Sequence, residues 1–140
     1  MNNNSIRITP VSNNDIMFLY KLLKNRNPNA NISHRSMPTY KEHEKFVLSK
    51  PYSKWYIIFL GNKKIGSAYL TNLNEIGLHL KREFDLDTIK KQILNIVYNK
   101  TKKTKYFVNI SPKNKKQIEF FKKNNFRLIQ HTYELEIGNI

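Results

Sequence analysis

The chain has 140 residues, of which 39% are hydrophobic, so it is long enough for one domain with one core and too short for two. It contains no cysteine, which excludes disulfides, thiolate metal sites and a cysteine nucleophile. Its formal net charge of +15 would suit nucleic acid, but the lysines are scattered over every segment. A basic solvated surface is therefore the favoured interpretation, and nucleic acid is a less favoured partner.

Metal sites and membrane spans are not indicated either. The four histidines lie far apart and have no metal-ligand spacing, so we expect no bound metal. The longest uninterrupted apolar run, Trp55 to Leu60, is far short of the ~20 residues that span a bilayer, and the N-terminus has no apolar signal core. We therefore expect a soluble, cytoplasmic protein without a membrane partner.

The first third of the chain predicts a strand and two helices. The alternating stretch "SIRITPVS" is typical of a short strand, bounded by Pro10. Ser12 to Asp15 resembles a capping box that opens a helix through Leu23. An asparagine-rich loop follows, and Thr39 and Glu42 form a second capping box for the next helix.

The middle of the chain predicts three antiparallel strands in a row. The apolar stretches "KWYIIFL" and "KIGSAYL" flank Gly61-Asn62, whose tolerance of positive φ suits a hairpin turn. The stretch "TNLN" then turns the chain into the third strand, "EIGLHL". Trp55, Tyr56 and Tyr69 are interpreted as sheet packing.

The last third predicts helix, strand, helix and strand. A helix from about Thr88 to Tyr98 leads to "KYFVNIS", which must lie parallel to the preceding strand if it joins the same sheet. A final helix from Asn114 to about Asn124 is followed by "FRLIQHTYELEI", which we interpret as one strand or a kinked pair. A short closing strand leaves an edge that a second subunit could cover, so a homodimer is a further expectation.

This order of elements resembles the GNAT acyltransferase superfamily over nearly the whole chain. The stretch "NEIGLHLKREF" looks like the fourth strand of that family, and "SPKNKKQIEFFKKNNF" looks like its late motif. The resemblance implies an α+β fold over a single domain, residues 1–140. Its sheet would be mixed and mostly antiparallel, with a central splayed parallel strand pair and about four flanking helices.

The resemblance also implies an activity, acetyl-CoA-dependent transfer of an acetyl group to a small amine or amino sugar. The pantetheine arm of acetyl-CoA would lie between the splayed strands, Ile76 to Leu80 and Tyr106 to Ile110, and pair with their free backbone groups. A backbone amide at Leu78 to Leu80 would stabilise the oxyanion while the acceptor amine attacks the thioester directly.

The turn after the fourth strand departs from the family pattern. The family places glycines there so that backbone amides can reach the diphosphate of CoA. Here the turn reads "DLDTIK", with Asp85, Thr88 and Lys90 at the defining positions. The favoured interpretation is that Asp85 or Asp87 caps the following helix and so occupies those amides. We therefore expect poor affinity for CoA.

Two sets of candidate site residues follow from the resemblance. The general base is expected among Glu75, His79 and His34, since Glu75 and His79 share one face of the fourth strand and His34 lies in the loop that would border the acceptor site. Phe121 stands where the family often has a tyrosine acid, and its spacing indicates core. The expected cofactor-binding residues are Leu78, Leu80, Lys81, Arg82, Lys90, Lys91, Asn109 and Asn114.

Two alternatives stay open at this point. The missing glycines would also suit a GNAT-fold protein that has lost catalysis and serves as a binding or partner module. The net charge keeps a basic nucleic-acid-binding protein as a further alternative.

Overall fold

The computed structural model describes residues 5–26 and 37–139. Within these residues the strands are β1 (Ile6–Pro10), β2 (Lys54–Leu60), β3 (Lys63–Leu70), β4 (Glu75–Leu80) and β5 (Phe107–Val108). The α-helices are α1 (Ile16–Lys24), α2 (Tyr40–Leu48), α3 (Asp87–Thr101) and α4 (Lys115–Lys123). Short 3-10 helices lie at Asn13–Asp15, Arg82–Phe84 and Ile137–Asn139. None of the helices in these ranges is long and apolar enough to cross a membrane.

The strands form one mixed sheet in the order β1-β2-β3-β4-β5. All neighbouring strands are antiparallel except β4 and β5, which are parallel. The predicted α+β class, the mostly antiparallel sheet and the parallel β4–β5 pair are thus confirmed. Gly61, with a φ of 60°, forms the predicted hairpin turn between β2 and β3.

Both predicted capping boxes are present, the first at the start of the 3-10 turn Asn13–Asp15 that leads into α1 and the second at the start of α2. The Ser12 amide donates to Asp15 Oδ2 at 2.8 Å. The Thr39 amide donates to Glu42 Oε1 at 2.8 Å, and the Glu42 amide donates back to Thr39 Oγ1 at 3.2 Å. Each box satisfies amides that the first helical turn leaves without a partner.

Helices cover both faces of the sheet. On one face α1 and α2 bury a cluster that includes Leu19, Val47 and Ile57. On the other face α3 and α4 cover the sheet with two clusters, whose buried members include Ile58, Ile65, Ile93, Val97, Leu70, Ile76, Leu94, Phe120 and Phe121. Phe121 is 4% exposed, so its interpretation as a core residue is confirmed.

The predicted C-terminal strand is wrong. After α4 the Phe126 amide donates to the Phe121 carbonyl at 2.9 Å, and Asn125 has a φ of 74°, as expected of a left-handed helix terminator. From Arg127 to Gly138 every residue is exposed, and residues 127–136 belong to no strand. The alternating pattern indicates a segment able to pair, but a strand forms only where a partner edge is within reach. Within the described residues β5 therefore forms one edge of the sheet, and β1 forms the other.

Candidate functional site

The parallel strands β4 and β5 form a fork. They pair only at Glu75 with Phe107 and at Ile76 with Val108, after which β4 continues alone to Leu80. A cleft of about 150 Å³ lies in this gap, between β4, the residues that follow β5, and α4. Its lining residues include Tyr69, Glu75, Gly77, Leu78, His79, Asn109, Ile110, Ser111, Asn114 and Gln117.

The backbone of β4 offers hydrogen-bonding groups to this cleft. The Thr71 amide donates to the Glu75 carbonyl and the Lys81 amide donates to the Ile65 carbonyl, each at 2.9 Å. Because hydrogen-bonded pairs alternate along an antiparallel ladder, the even-numbered residues Leu78 and Leu80 direct their N–H and C=O groups towards the β5 side. The β4–β5 ladder ends before them, so these groups face the gap.

Glu75 lies at the closed end of the fork and lines the cleft. Its Oε1 accepts from Thr71 Oγ1 at 3.0 Å, and its Oε2 accepts from Asn109 Nδ2 at 2.7 Å. Asn109, expected to contact the cofactor, thus holds Glu75 across the two strands. These hydrogen bonds fix the position of the carboxylate.

His79 lies on the same face of β4 as Glu75 and also lines the cleft, but its surroundings differ from those of Glu75. It lies opposite Ser67 of β3, and its ring centroid is 5.9 Å from that of Tyr69. Burial, with a smaller effect from the positive charge of Arg26, lowers the pKa of His79 to about 3. At neutral pH the imidazole is therefore uncharged and weakly basic. His34, the third candidate, lies outside the described residues.

Tyr69 forms a wall of the cleft over Gly77, and Tyr52 stacks on it from outside the lining of the cleft. The rings of Tyr52 and Tyr69 are 3.8 Å apart and nearly parallel, at 4°. Burial raises the pKa of both phenols, so both stay protonated at neutral pH. Tyr69 was interpreted as sheet packing, and the stacking of Tyr52 on it was not predicted. The signal that could have found this wall is Gly77, because a glycine inside a strand often marks the close approach of another group.

Replacing Gly77 by alanine should lower the free energy of unfolding by about 1–3 kcal/mol, as overpacking of a filled core does. A Cβ at this position would clash with the ring of Tyr69, so the ring must move and the stack with Tyr52 must change. Urea unfolding measures the loss. Gly138→Ala is the matched control, because a Cβ there meets nothing within 4 Å. Equal stability of the wild type and the Gly77 variant would contradict the packing described here.

In the turn between β4 and α3, the residue at the N-cap differs from the predicted one. The N-cap residue of α3 is Leu86, whose side chain makes no capping bond, so the interpretation of Asp85 or Asp87 as the cap is wrong. Both carboxylates contact Lys90 instead. Its Nζ lies 3.1 Å from Asp85 Oδ1 and 3.6 Å from Asp87 Oδ1. The reason is the burial of Lys90, because a buried ammonium needs counter-charges.

Lys90 is the centre of a cluster that joins α3 to α4. Its side chain is 1% exposed, and its Nζ donates to Gln117 Oε1 at 2.8 Å and lies 4.5 Å from the centroid of the Phe120 ring. Lys116 Nζ donates to the Asp85 carbonyl at 2.9 Å and lies 3.7 Å from Asp85 Oδ2. Gln117 also lines the cleft, so the cluster lies at its border.

No protein-family model matches the chain, and no curated protein does. Several solved structures share its fold. An acetyltransferase from Thermus thermophilus aligns with a TM-score of 0.75 and 15% identity, covering 93% of this chain and 92% of its own. Spermidine N-acetyltransferase from Vibrio cholerae, in complex with CoA and spermine, aligns with a TM-score of 0.74 and 15% identity over 90% and 83% of the two chains. A domain from Methanocaldococcus jannaschii reaches 0.78 and 21%, over 93% of each.

The chain has the GNAT fold. The fork between β4 and β5 is the splayed strand pair that the resemblance implied, and the Lys90 cluster lies at the turn where the family pattern has its glycines. At identities of 15–21% the similarity shows the fold alone.

Four further candidates for cofactor binding, three of them basic, lie at this GNAT-fold turn or near it. Arg82 and Lys91 are exposed. Lys81 Nζ lies 5.6 Å from the centroid of the Phe18 ring, on the side of α1. Asn114 caps α4, its side chain accepting from the Gln117 amide at 3.3 Å, and it also lines the cleft. Asn114 is thus the one of these four that lines the cleft.

Proposed function

We propose that this chain is an acetyl-CoA-dependent N-acetyltransferase that transfers the acetyl group directly to a small amine. The observation that carries the proposal is the fork, in which two parallel strands separate after two residue pairs and leave a cleft between them. The acetyltransferases of the same fold support it, since one of them was solved in complex with CoA and spermine.

The backbone of β4 would bind the acyl donor. Leu78 and Leu80 direct donors and acceptors into the gap, as a strand edge does towards an incoming strand, and the pantetheine arm carries amides that can pair with them. With the thioester carbonyl beside an amide of this stretch, the amide would stabilise the negative charge that develops on the oxygen.

Glu75 is the best-supported general base. An ammonium acceptor must lose a proton before its nitrogen can attack, and Glu75 presents a carboxylate to the cleft, held by Thr71 and Asn109. His79 is a weaker candidate for the general base, because a group with a pKa of about 3 takes a proton from an ammonium poorly at neutral pH. Departure of the thiol needs no acid from Phe121, since a thiol with a pKa of ~8.5 leaves as a tolerable thiolate.

The diphosphate of CoA would meet an unfavourable turn. Asp85 lies between Lys90 and Lys116 and pairs with both ammonium groups. Its carboxylate would repel an incoming phosphate and occupy its partners. We therefore propose that acetyl-CoA binds weakly and that Asp85 is the residue that weakens it.

Replacing Asp85 by asparagine should tighten acetyl-CoA binding about fivefold or more. Two like charges about 4 Å apart repel each other by about 1 kcal/mol in water-like surroundings. This value applies here because Asp85 is 40% exposed. The same variant should be less stable without cofactor, because Lys90 loses a counter-charge. Isothermal titration calorimetry measures the affinity, and thermal unfolding measures the stability.

The control variant is Glu83→Gln, which removes the same charge from an exposed position in the same turn. Acetyl-pantetheine, which lacks the diphosphate, should bind the wild type and Asp85→Asn equally. An unchanged acetyl-CoA affinity in Asp85→Asn would show that Asp85 does not compete with the diphosphate. No saturable binding of acetyl-CoA or acetyl-pantetheine to either protein up to millimolar concentration would remove the enzyme proposal.

A GNAT-fold binding module without catalysis is the second candidate. The Lys90 cluster favours it, because the diphosphate turn is filled by the chain's own charges. Absence of binding by both acyl donors would leave this candidate in place of the enzyme.

A further inference from the structure

The open end of the fork is the place where the head of an acyl donor would leave the cleft. β4 ends there at Leu80, and α4 begins on the side of β5. Lys116 Nζ donates to the Asp85 carbonyl at 2.9 Å, so the start of α4 and the turn after β4 meet at this end. The group to which the pantetheine arm is attached would therefore rest on two segments, residues 81–91 and residues 111–117.

The carboxylates at this end disfavour the nucleotide of CoA. Asp85 pairs with Lys90 and with Lys116, and Asp87 Oδ1 lies 3.6 Å from Lys90 Nζ. Because Coulomb repulsion grows with charge, these carboxylates oppose a diphosphate more strongly than a phosphodiester, which has a single negative charge. The fork thus suits the pantetheine arm, whereas the turn does not suit the nucleotide. A donor with the same arm and no nucleotide avoids this conflict.

The exposed rim of the opening is basic in spite of these carboxylates. Residues 111–117 contain no acidic residue, and their three lysines, Lys113, Lys115 and Lys116, are all exposed. Arg82 is exposed in the turn on the other side of the opening. The chain as a whole has a formal net charge of +15. A basic surface of this kind attracts an acidic macromolecule and steers its approach.

We propose that the preferred donor is an acyl carrier protein, a small acidic protein whose pantetheine arm is joined to a serine through one phosphodiester. This inference rests on the acetyl transfer proposed above and names its donor. The arm would enter the fork and pair with Leu78 and Leu80, while the acidic surface of the carrier contacts the lysines at the start of α4. Acetyl-CoA is then the weaker donor.

The transfer step leaves the carrier intact. The acceptor nitrogen forms a bond to the acetyl carbon, and the bond between that carbon and the sulfur of the arm breaks with its electron pair going to sulfur. The amine loses one proton as the amide forms, and the departing thiolate takes up one proton. The products are the acetylated acceptor and the carrier with a free thiol on its arm.

Isothermal titration calorimetry tests the choice of donor without needing the acceptor. The acetylated carrier should bind about tenfold or more tightly than acetyl-CoA, and about tenfold or more tightly than the apo-carrier, which has the same protein surface and no arm. Added salt should weaken the binding of the acetylated carrier and leave that of uncharged acetyl-pantetheine unchanged. Equal affinity for the acetylated carrier and the apo-carrier would overturn the proposal, because the fork would then contribute nothing.

Charge reversal at the rim tests the docking surface. Lys113→Glu with Lys115→Glu should weaken binding of the acetylated carrier about tenfold or more and leave acetyl-pantetheine binding unchanged. Both positions are exposed, so the fold should be kept, as circular dichroism can verify. Lys41→Glu with Lys45→Glu is the matched control, since it makes the same charge change at exposed positions of α2, on the opposite face of the sheet. An equal loss in both double variants would show that net charge alone attracts the carrier and that the rim is not its docking surface.

The failure of this inference and that of the proposed function give different results. If acetyl-pantetheine binds and acetyl-CoA binds as tightly as the acetylated carrier, the carrier is not the preferred donor and acetyl transfer from CoA stands. If acetyl-pantetheine, acetyl-CoA and the acetylated carrier all fail to bind up to millimolar concentration, the fork accepts no pantetheine arm and both proposals are wrong.

Discussion

Replacing Glu75 by glutamine is expected to lower kcat for acetyl transfer by about a hundredfold or more, the effect of losing a general base. Glutamine keeps the size of the side chain and can still accept from Thr71 or Asn109, so the fork should be preserved. What it loses is the capacity to take a proton from the acceptor. The KM for acetyl-CoA should change little, because the proposed binding site of the donor consists of backbone groups of β4.

The assay follows thiol release from acetyl-CoA with spermidine as the test acceptor. A thiol reagent gives no background from the protein, because the chain has no cysteine. Glu119→Gln makes the same change at an exposed position on α4 and should keep the full rate. If the Glu75 variant is as fast as the wild type, another residue is the general base.

The stability of the protein should fall by about 2 kcal/mol between pH 7 and pH 5 through His79 alone. The native imidazole has a pKa of about 3, against 6.5 for the ordinary group. Below pH 6.5 the unfolded chain therefore binds a proton that the folded chain does not, and stability is lost progressively from there towards pH 3. Burial also lowers the pKa of His43, so it acts in the same direction.

Urea unfolding at the two pH values measures this loss. His79→Gln should remove most of the difference, whereas His131→Gln, at an exposed position after α4, should keep it. Equal pH dependence in the wild type and the His79 variant would show that His79 is solvated in the folded protein.

Local patterns in the sequence predicted local structure well. Ser12 with Asp15 and Thr39 with Glu42 each complete a capping box three residues apart, so the relevant partners are near in sequence. Gly61 needed only its own backbone freedom to mark the hairpin. The parallel β4–β5 pair followed from the helix between the two strands, because a crossover of that length reverses the chain direction twice.

Contacts between distant residues were not predictable in the same way. Their positions in the sequence predicted that Asp85 or Asp87 caps α3. Both carboxylates pair instead with the ammonium of Lys90, which also donates to Gln117 of α4. Tyr52 lies in the irregular stretch before β2, and Tyr69 lies in β3. Their stacking depends on the pairing of these two strands, which the residues around Tyr52 do not reveal. The last segment has the alternation of a strand, but alternation does not state where the partner edge lies.

The stack of Tyr52 on Tyr69 also gives the molecule an optical property. Trp55 is the only tryptophan in the chain, and its ring lies 4.8 Å, centroid to centroid, from Tyr52 in an edge-on arrangement. Its indole Nε1 donates to Ser67 Oγ at 2.8 Å, which fixes its orientation beside the strand that carries Tyr69. All tryptophan fluorescence of the protein therefore originates beside the Tyr52–Tyr69 stack, and a change in that emission reports on movement of the stack.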